Sequence, residues 1–153
     1  MKSKTVVAFA CFCGAIVTLA CSKPSSFEQY VSTAEASREQ AYVFSLDLRD
    51  SLLSYSIDFQ VFMSPEAEVL EQFDGLVSGI RLISPSGKVY EDGKMFSKTD
   101  FVQKKPYRAI LKSAYQQNFH LAENGVWTLK FTLPPKELRL YNIDGVGLSL
   151  GSK

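Results

Sequence analysis

The chain has 153 residues, with 17 Lys and Arg against 16 Asp and Glu, one histidine, three cysteines and an aromatic content of 12%. A net charge of +1 argues against a nucleic-acid or polybasic membrane partner. The many aromatics indicate a packed domain and exclude a disordered one.

Residues 1–21 read MKSKTVVAFACFCGAIVTLAC. Lys2 and Lys4 precede an apolar or small-residue run from Thr5 to Ala20, and Cys21 follows at once. Charge, apolar run and small residue in that order are the layout of a secretory signal peptide. With a cysteine directly after Ala20, the segment resembles a bacterial lipoprotein signal, cleaved between Ala20 and Cys21 so that Cys21 becomes the lipidated first residue. Two alternatives stand beside it. Ordinary signal peptidase could use Thr18 and Ala20 and leave Cys21 as a free thiol, or the segment could stay as an anchor, although it falls short of the roughly 20 apolar residues that span a bilayer.

Cleavage makes 1–20 a removed signal, 21–40 the lipidated cysteine with a tether and lead-in, and 41–153 the folded domain. Lys2, Lys4, Cys11 and Cys13 leave with the signal, so 15 basic residues face 16 acidic ones and Cys21 is the one cysteine kept. No internal disulfide can form, and stability must come from a core. A chain of this length is one ordinary domain and buries about two-thirds of its unfolded surface.

Ser22 to Ser26 is a short polar tether, and Phe27 to Ser37 reads as a helical turn or an irregular lead-in. From Ala41 the period becomes two. Tyr42, Phe44, Leu46 and Leu48 alternate with Val43, Ser45, Asp47 and Arg49, as a half-buried strand requires. After a turn over Asp50–Ser54, Tyr55, Ile57, Phe59, Val61 and Met63 do the same, and an antiparallel hairpin is the expected pairing. Ser64-Pro65-Glu66 reads as a helix start, with Val69, Leu70 and Phe73 on one face and Gly75 as its end, or as a looped insertion of similar length. Its acidic residues Glu66, Glu68, Glu71 and Asp74 read as a solvated face.

Gly79–Ser84 returns to strand, with Ile80 and Leu82 inward. Ser84-Pro85-Ser86-Gly87-Lys88 is a turn, Val89 and Tyr90 begin a return strand that Asp92-Gly93 interrupts, and Met95–Lys105 is less regular. Tyr107, Ala109, Leu111, Ser113 and Tyr115 alternate, and Phe119 and Leu121 form a short strand. After the turn at Ala122–Gly125, Trp127, Leu129, Phe131 and Leu133 form the clearest strand, which Pro134-Pro135 stops. Val146, Leu148 and Leu150 form a last strand after an Asp144-Gly145 turn. About seven or eight short strands and one helix at most predict a single antiparallel β-sandwich, immunoglobulin-like or jelly-roll-like.

Little in this chain has the pattern of a reaction centre. His120 is the only histidine and reads as a surface residue, not the base of a Ser-His-Asp triad. The usual zinc sets cannot be assembled. Asp47, Asp50 and Asp58 could pair as glycosidase carboxylates across the first hairpin, but charged outward positions are ordinary on half-exposed strands. Asp92-Gly93 and Asp144-Gly145 read as turns before calcium ligands. Trp127 is in phase with the core and reads as a core residue, not a sugar platform; Phe62, Tyr42 and Tyr141 are weaker candidates for a binding face. No catalytic, metal or cofactor-binding residue is expected, and no cofactor beyond the covalent lipid on Cys21.

A lipidated cysteine, Phe27-x-x-Tyr30, the strand Phe44-Ser45-Leu46-Asp47-Leu48, the turn Ser84–Lys88, the strand after Gly125 and the closing Gly145-Val146-Gly147-Leu148 together resemble the GldH-type gliding-motility lipoproteins of the Bacteroidota. The resemblance implies a lipid-anchored accessory subunit of an envelope machine, without active-site residues. No acidic run follows Cys21 of the kind that resembles surface-export signals in some of these lipoproteins, which favours an outer-membrane protein facing the periplasm. The expected function is therefore non-enzymatic binding of envelope proteins, with the membrane reached through the lipid and no nucleic-acid partner. A tethered carbohydrate-binding module or glycan-acting enzyme is the alternative. Cys21→Ala is expected to abolish incorporation of a clickable palmitate analogue and to release the protein from the membrane fraction; continued membrane retention would count against lipidation.

Overall fold

The residues that alternate in the sequence are the ones that reach the interior. In β2 (Tyr42–Leu48), Tyr42, Phe44, Leu46 and Leu48 are buried, and in β3 (Tyr55–Met63) every second residue from Tyr55 to Met63 is buried. Trp127, Leu129 and Phe131 of β8 (Gly125–Thr132) and Val146, Leu148 and Leu150 of β9 (Ile143–Ser152) complete the pattern. The computed structural model describes residues 26–153, so Ala20, Cys21 and the tether before Ser26 lie outside the described residues.

Two antiparallel sheets pack face to face. One has the order β1-β9-β3-β7-β6, where β1 is Ser26–Ser32, β6 is Phe101–Lys105 and β7 is Arg108–Phe119. The other has the order β2-β8-β4-β5, where β4 is Leu76–Ile83 and β5 is Val89–Phe96. Three short helices, α1 (Thr33–Glu39), α2 (Ala67–Glu71) and α3 (Pro135–Leu140), sit in the connections. The architecture is the expected antiparallel β-sandwich, with three short helices where one at most was expected.

Phe131, fully buried in one sheet, meets Phe59 of the other at 4.8 Å between ring centroids, and contacts Tyr42 and Phe96 at 6.2 and 6.3 Å. Aromatic pairs at such spacings contribute beyond their buried area. These rings join the sheets at the centre of the interior.

The expected β2–β3 hairpin does not form. β2 pairs with β8, whereas β3 lies in the opposite sheet between β7 and β9. Residues 49–54 therefore carry the chain from one sheet to the other, and the buried faces of β2 and β3 meet through the core. Alternation specifies a buried face and not a neighbour, which is why the local pattern suggested the simpler pairing.

Other elements differ for local reasons. Ser26–Ser32, expected as lead-in, is an edge strand paired along β9. Ser32 and Glu35 form a reciprocal capping box that starts α1, with the Ser32 N–H donating to Glu35 Oε2 at 2.9 Å. Ser64 does not cap a helix: its hydroxyl donates to Asp144 and its N–H to the Asn142 carbonyl, so α2 starts later, at Ala67. β5 runs straight through Asp92-Gly93, with Gly93 opposite Gly79. The region expected as two strands is one twelve-residue β7, and Pro135 stops β8 by opening α3 at a position where proline is tolerated.

Asp144-Gly145 lies inside β9. Gly145 is flanked by Ser32 and Phe62 across the ladders, and a Cβ there would overlap the Tyr30 ring. Tyr30 uses that space to set its ring edge-on to Phe62 at 5.4 Å. Phe131→Ala is expected to destabilise the fold by about 3–5 kcal/mol, read as a lowered denaturant midpoint at unchanged m-value.

Candidate functional site

The sandwich is not closed along its whole length. β6 pairs only with Arg108–Leu111 of β7, so among the described residues Lys112–Phe119 has no strand on that side. β5, at the border of the other sheet, likewise has one partner, β4. Two bulges accompany the opening in β7. Asp58 faces Ala114 but Ile57 faces Gln116, which inserts Tyr115; Tyr55 then faces Phe119, which inserts one more residue, near Asn118 with its φ of 53°. Bulges bend a strand, raise its twist and re-aim side chains.

Between β5 and the second half of β7 lies a cleft of about 340 Å³. Leu46 and Leu48 of β2, Ile57 of β3, Leu82 of β4 and Trp127 of β8 form its apolar interior, and Phe119 and Leu121 form its wall at the β7–β8 connection. Tyr90 of β5 stacks on Trp127 at 6.0 Å and 30°, and the indole Nε1–H donates to the Glu123 carbonyl at 3.0 Å. The indole is thus held by ring stacking and a hydrogen bond, with only 7% of the residue exposed.

Polar groups stand at the mouth. Tyr115 donates its hydroxyl to Asp92 Oδ2 at 3.1 Å, which links the two sheets across the opening. Burial, the Asp92 charge and that hydrogen bond push the Tyr115 pKa up to about 12. Arg81 pairs with Glu91 opposite it on the β4–β5 ladder. Glu123 accepts from the Ser86 hydroxyl at 2.8 Å, from the Ser86 N–H and Ser84 hydroxyl at 3.2 Å each, and lies 3.3 Å from Lys88 Nζ. These bonds, led by the Ser86 hydroxyl, hold its carboxyl below the usual range. They also clamp the expected Ser84–Lys88 turn, closed by Gly87 N–H to Ser84 carbonyl at 2.9 Å with Gly87 φ at 86°, against the β7–β8 connection.

The residues singled out from the sequence are dispersed. Ala20 and Cys21 lie outside the described residues. Asp47 pairs with Arg49, Asp50 accepts from the Leu52 N–H, and Asp58 accepts from the Gln117 amide on the neighbouring strand β7, so the three carboxylates do not form a pair. His120 is an exposed residue on the cleft rim. Trp127 is a core residue, as its phase required, and also lines the cleft. Tyr42 is buried and shares a hydrogen bond with Thr33, Tyr141 packs on Phe73, and Phe62 lies under Tyr30. Among the described residues no group of three or more His, Cys, Asp or Glu side chains could hold a metal ion, and no helix is long and apolar enough to cross a membrane.

Sequence reasoning missed Tyr115, Asp92 and the free edges. Neither the bulges nor the reach of β6 leaves a mark in a single alternating pattern. The fold and the cleft define a β-sandwich with an open interior on one side. No family model, curated protein or solved structure matches the chain.

Because Tyr115 titrates above its unfolded value of 10, its neutral form favours the fold: that contribution is complete below pH 10 and is lost as pH rises from 10 towards 12. Asp92→Asn is expected to lower the Tyr115 pKa without returning it to 10, since burial remains, and to shift alkaline unfolding accordingly, as followed by tyrosinate absorbance.

Proposed function

We propose that the chain is a lipoprotein of the cell envelope, anchored through Cys21 to the outer membrane and facing the periplasm. In this reading it is a non-enzymatic accessory subunit that binds an extended segment of another envelope protein. The observation that carries the protein-binding part is the outer edge of β5. Unpaired N–H and C=O groups along a strand edge are a template for an added strand. β5 leaves Val89, Tyr90 and Met95 exposed, and Met95 lies beside exposed Val77 on β4. The border strand of the other sheet, β6, is differently made: it ends in Lys104 and Lys105 before Pro106, the charges and proline that discourage pairing.

The anchoring part is supported by the order of charge, apolar run, Ala20 and Cys21, and by stable membrane binding when bulky acyl chains are attached, each buried methylene adding about 0.8 kcal/mol. The resemblance to GldH-type lipoproteins supports placement in an envelope machine, with gliding motility as the candidate process. A glycan-binding reading draws on the Tyr90 ring at the cleft mouth, since sugars stack on aromatic faces.

A photoreactive residue in place of Met95 is expected to give a discrete envelope-protein adduct that is lost with Val89→Lys, whereas the same probe at Val102 on β6 gives none. Absence of any adduct at Met95, together with specific binding on a glycan array, would replace the protein-binding reading by the glycan one.

A further inference from the structure

We propose that the cleft receives an acyl chain of a lipid in the membrane to which Cys21 holds the protein. The inference rests on the lipid-anchored reading, and it concerns the interior of the sandwich, not the β5 edge.

The first support is chemical. Leu46, Leu48, Ile57, Leu82 and Trp127 line the interior, while the polar lining groups Glu91, Asp92, Tyr115, Gln116 and His120 stand at the mouth, and a volume of about 340 Å³ holds about eleven groups of the size of a water molecule at roughly 30 Å³ each. That suits one apolar chain section and is small for a folded partner element. The charged groups at the mouth do not call for an ionic ligand: Glu91 is paired with Arg81, Glu123 with Lys88, and Asp92 accepts from Tyr115 and from the Gly93 N–H. An occupant that must satisfy no buried polar atom is one made of methylenes.

The second support is position. Ser26 pairs with Gly151, and Gly151 with Ser56, whose hydroxyl accepts from the Asn118 N–H. The start of β1, the start of β3 and the end of β7 therefore share one end of the sandwich, and the cleft is built at that end from Ile57, Phe119, Leu121 and Leu48. Four residues, Ser22, Lys23, Pro24 and Ser25, separate Cys21 from Ser26, and the resulting five residue-to-residue steps reach at most about 18 Å. An anchored Cys21 thus holds the cleft end, and not the α3 end, against the bilayer. Leu52, in the 49–54 connection beside Leu48, is 90% exposed, an arrangement that costs apolar hydration in water and is relieved at a lipid surface.

Trp127 is the only tryptophan in the chain and lines the cleft, so its emission reports occupancy. The full lipidated chain would be reconstituted into phosphatidylethanolamine–phosphatidylglycerol vesicles, with and without phospholipids dibrominated in mid-acyl chain, and its sedimentation with the vesicles recorded alongside fluorescence. The expected result is co-sedimentation with loss of Trp127 emission in the brominated vesicles, restored by Leu121→Glu in the cleft wall and unaffected by Leu140→Glu on α3. Co-sedimentation without quenching overturns the proposal and leaves the anchor standing, as an interior filled by the protein's own acyl chain would also do. Quenching that persists in a folded Leu121→Glu protein overturns it as well, because the bromines then reach the indole by general contact. Failure of the chain to sediment with vesicles overturns the anchored reading and this one with it.

Discussion

The two sheets stay together because Phe131 and Phe59 meet ring to ring across the interior. No cysteine lies between Ser22 and Lys153, so no covalent staple can take over that role among the described residues. Burial of apolar surface and close packing of aromatic rings must offset the conformational entropy of the chain. Tyr42 and Phe96 gather round the same ring, and Tyr115 packs on Phe59 at 5.4 Å. The side chain at the mouth of the cleft is therefore continuous with the centre of the core.

That continuity explains why the cleft can exist without dissolving the fold. Where β6 stops and β7 bulges, ladder hydrogen bonds no longer seal the side of the sandwich. Three polar devices hold the opening in shape: Tyr115 on Asp92 between the sheets, Arg81 on Glu91 along the β4–β5 ladder, and Glu123 on the Ser84–Lys88 turn. The exposed ion pair among them contributes little energy, but together they fix the positions of Tyr90, Trp127 and the β7–β8 connection. An apolar interior with a braced mouth has the usual form of a small-molecule or chain-binding site.

Much of the fold was legible residue by residue. β2, β3 and β8 were visible from alternation, and their buried faces are those expected. The Ser84–Lys88 turn was visible because proline and glycine each have a defined backbone role there. The Ser32–Glu35 capping box was present in the sequence as Ser-Thr-Ala-Glu, a recognisable helix start. The closing glycines illustrate the opposite case. Gly145 reads locally as a turn, yet its function is to leave room for Tyr30, a residue 115 positions earlier. Only a strand pairing between the two ends of the chain makes that need visible.

By itself the sequence determined β2, β3 and β8 with their inward faces, the reliance on a core in place of disulfides, and the expectation that Cys21 is the chemically marked residue. These follow from local periodicity and composition, which a linear chain displays directly. Tertiary structure alone decided that β2 and β3 lie in opposite sheets, that β1 closes one border through β9, and that β6 ends early enough to open a cleft around Trp127. The physical reason is that a strand's hydrogen-bonding edges carry no side-chain code of their own. Which edge meets which, and which stays free, is settled by how all the buried faces are accommodated at once.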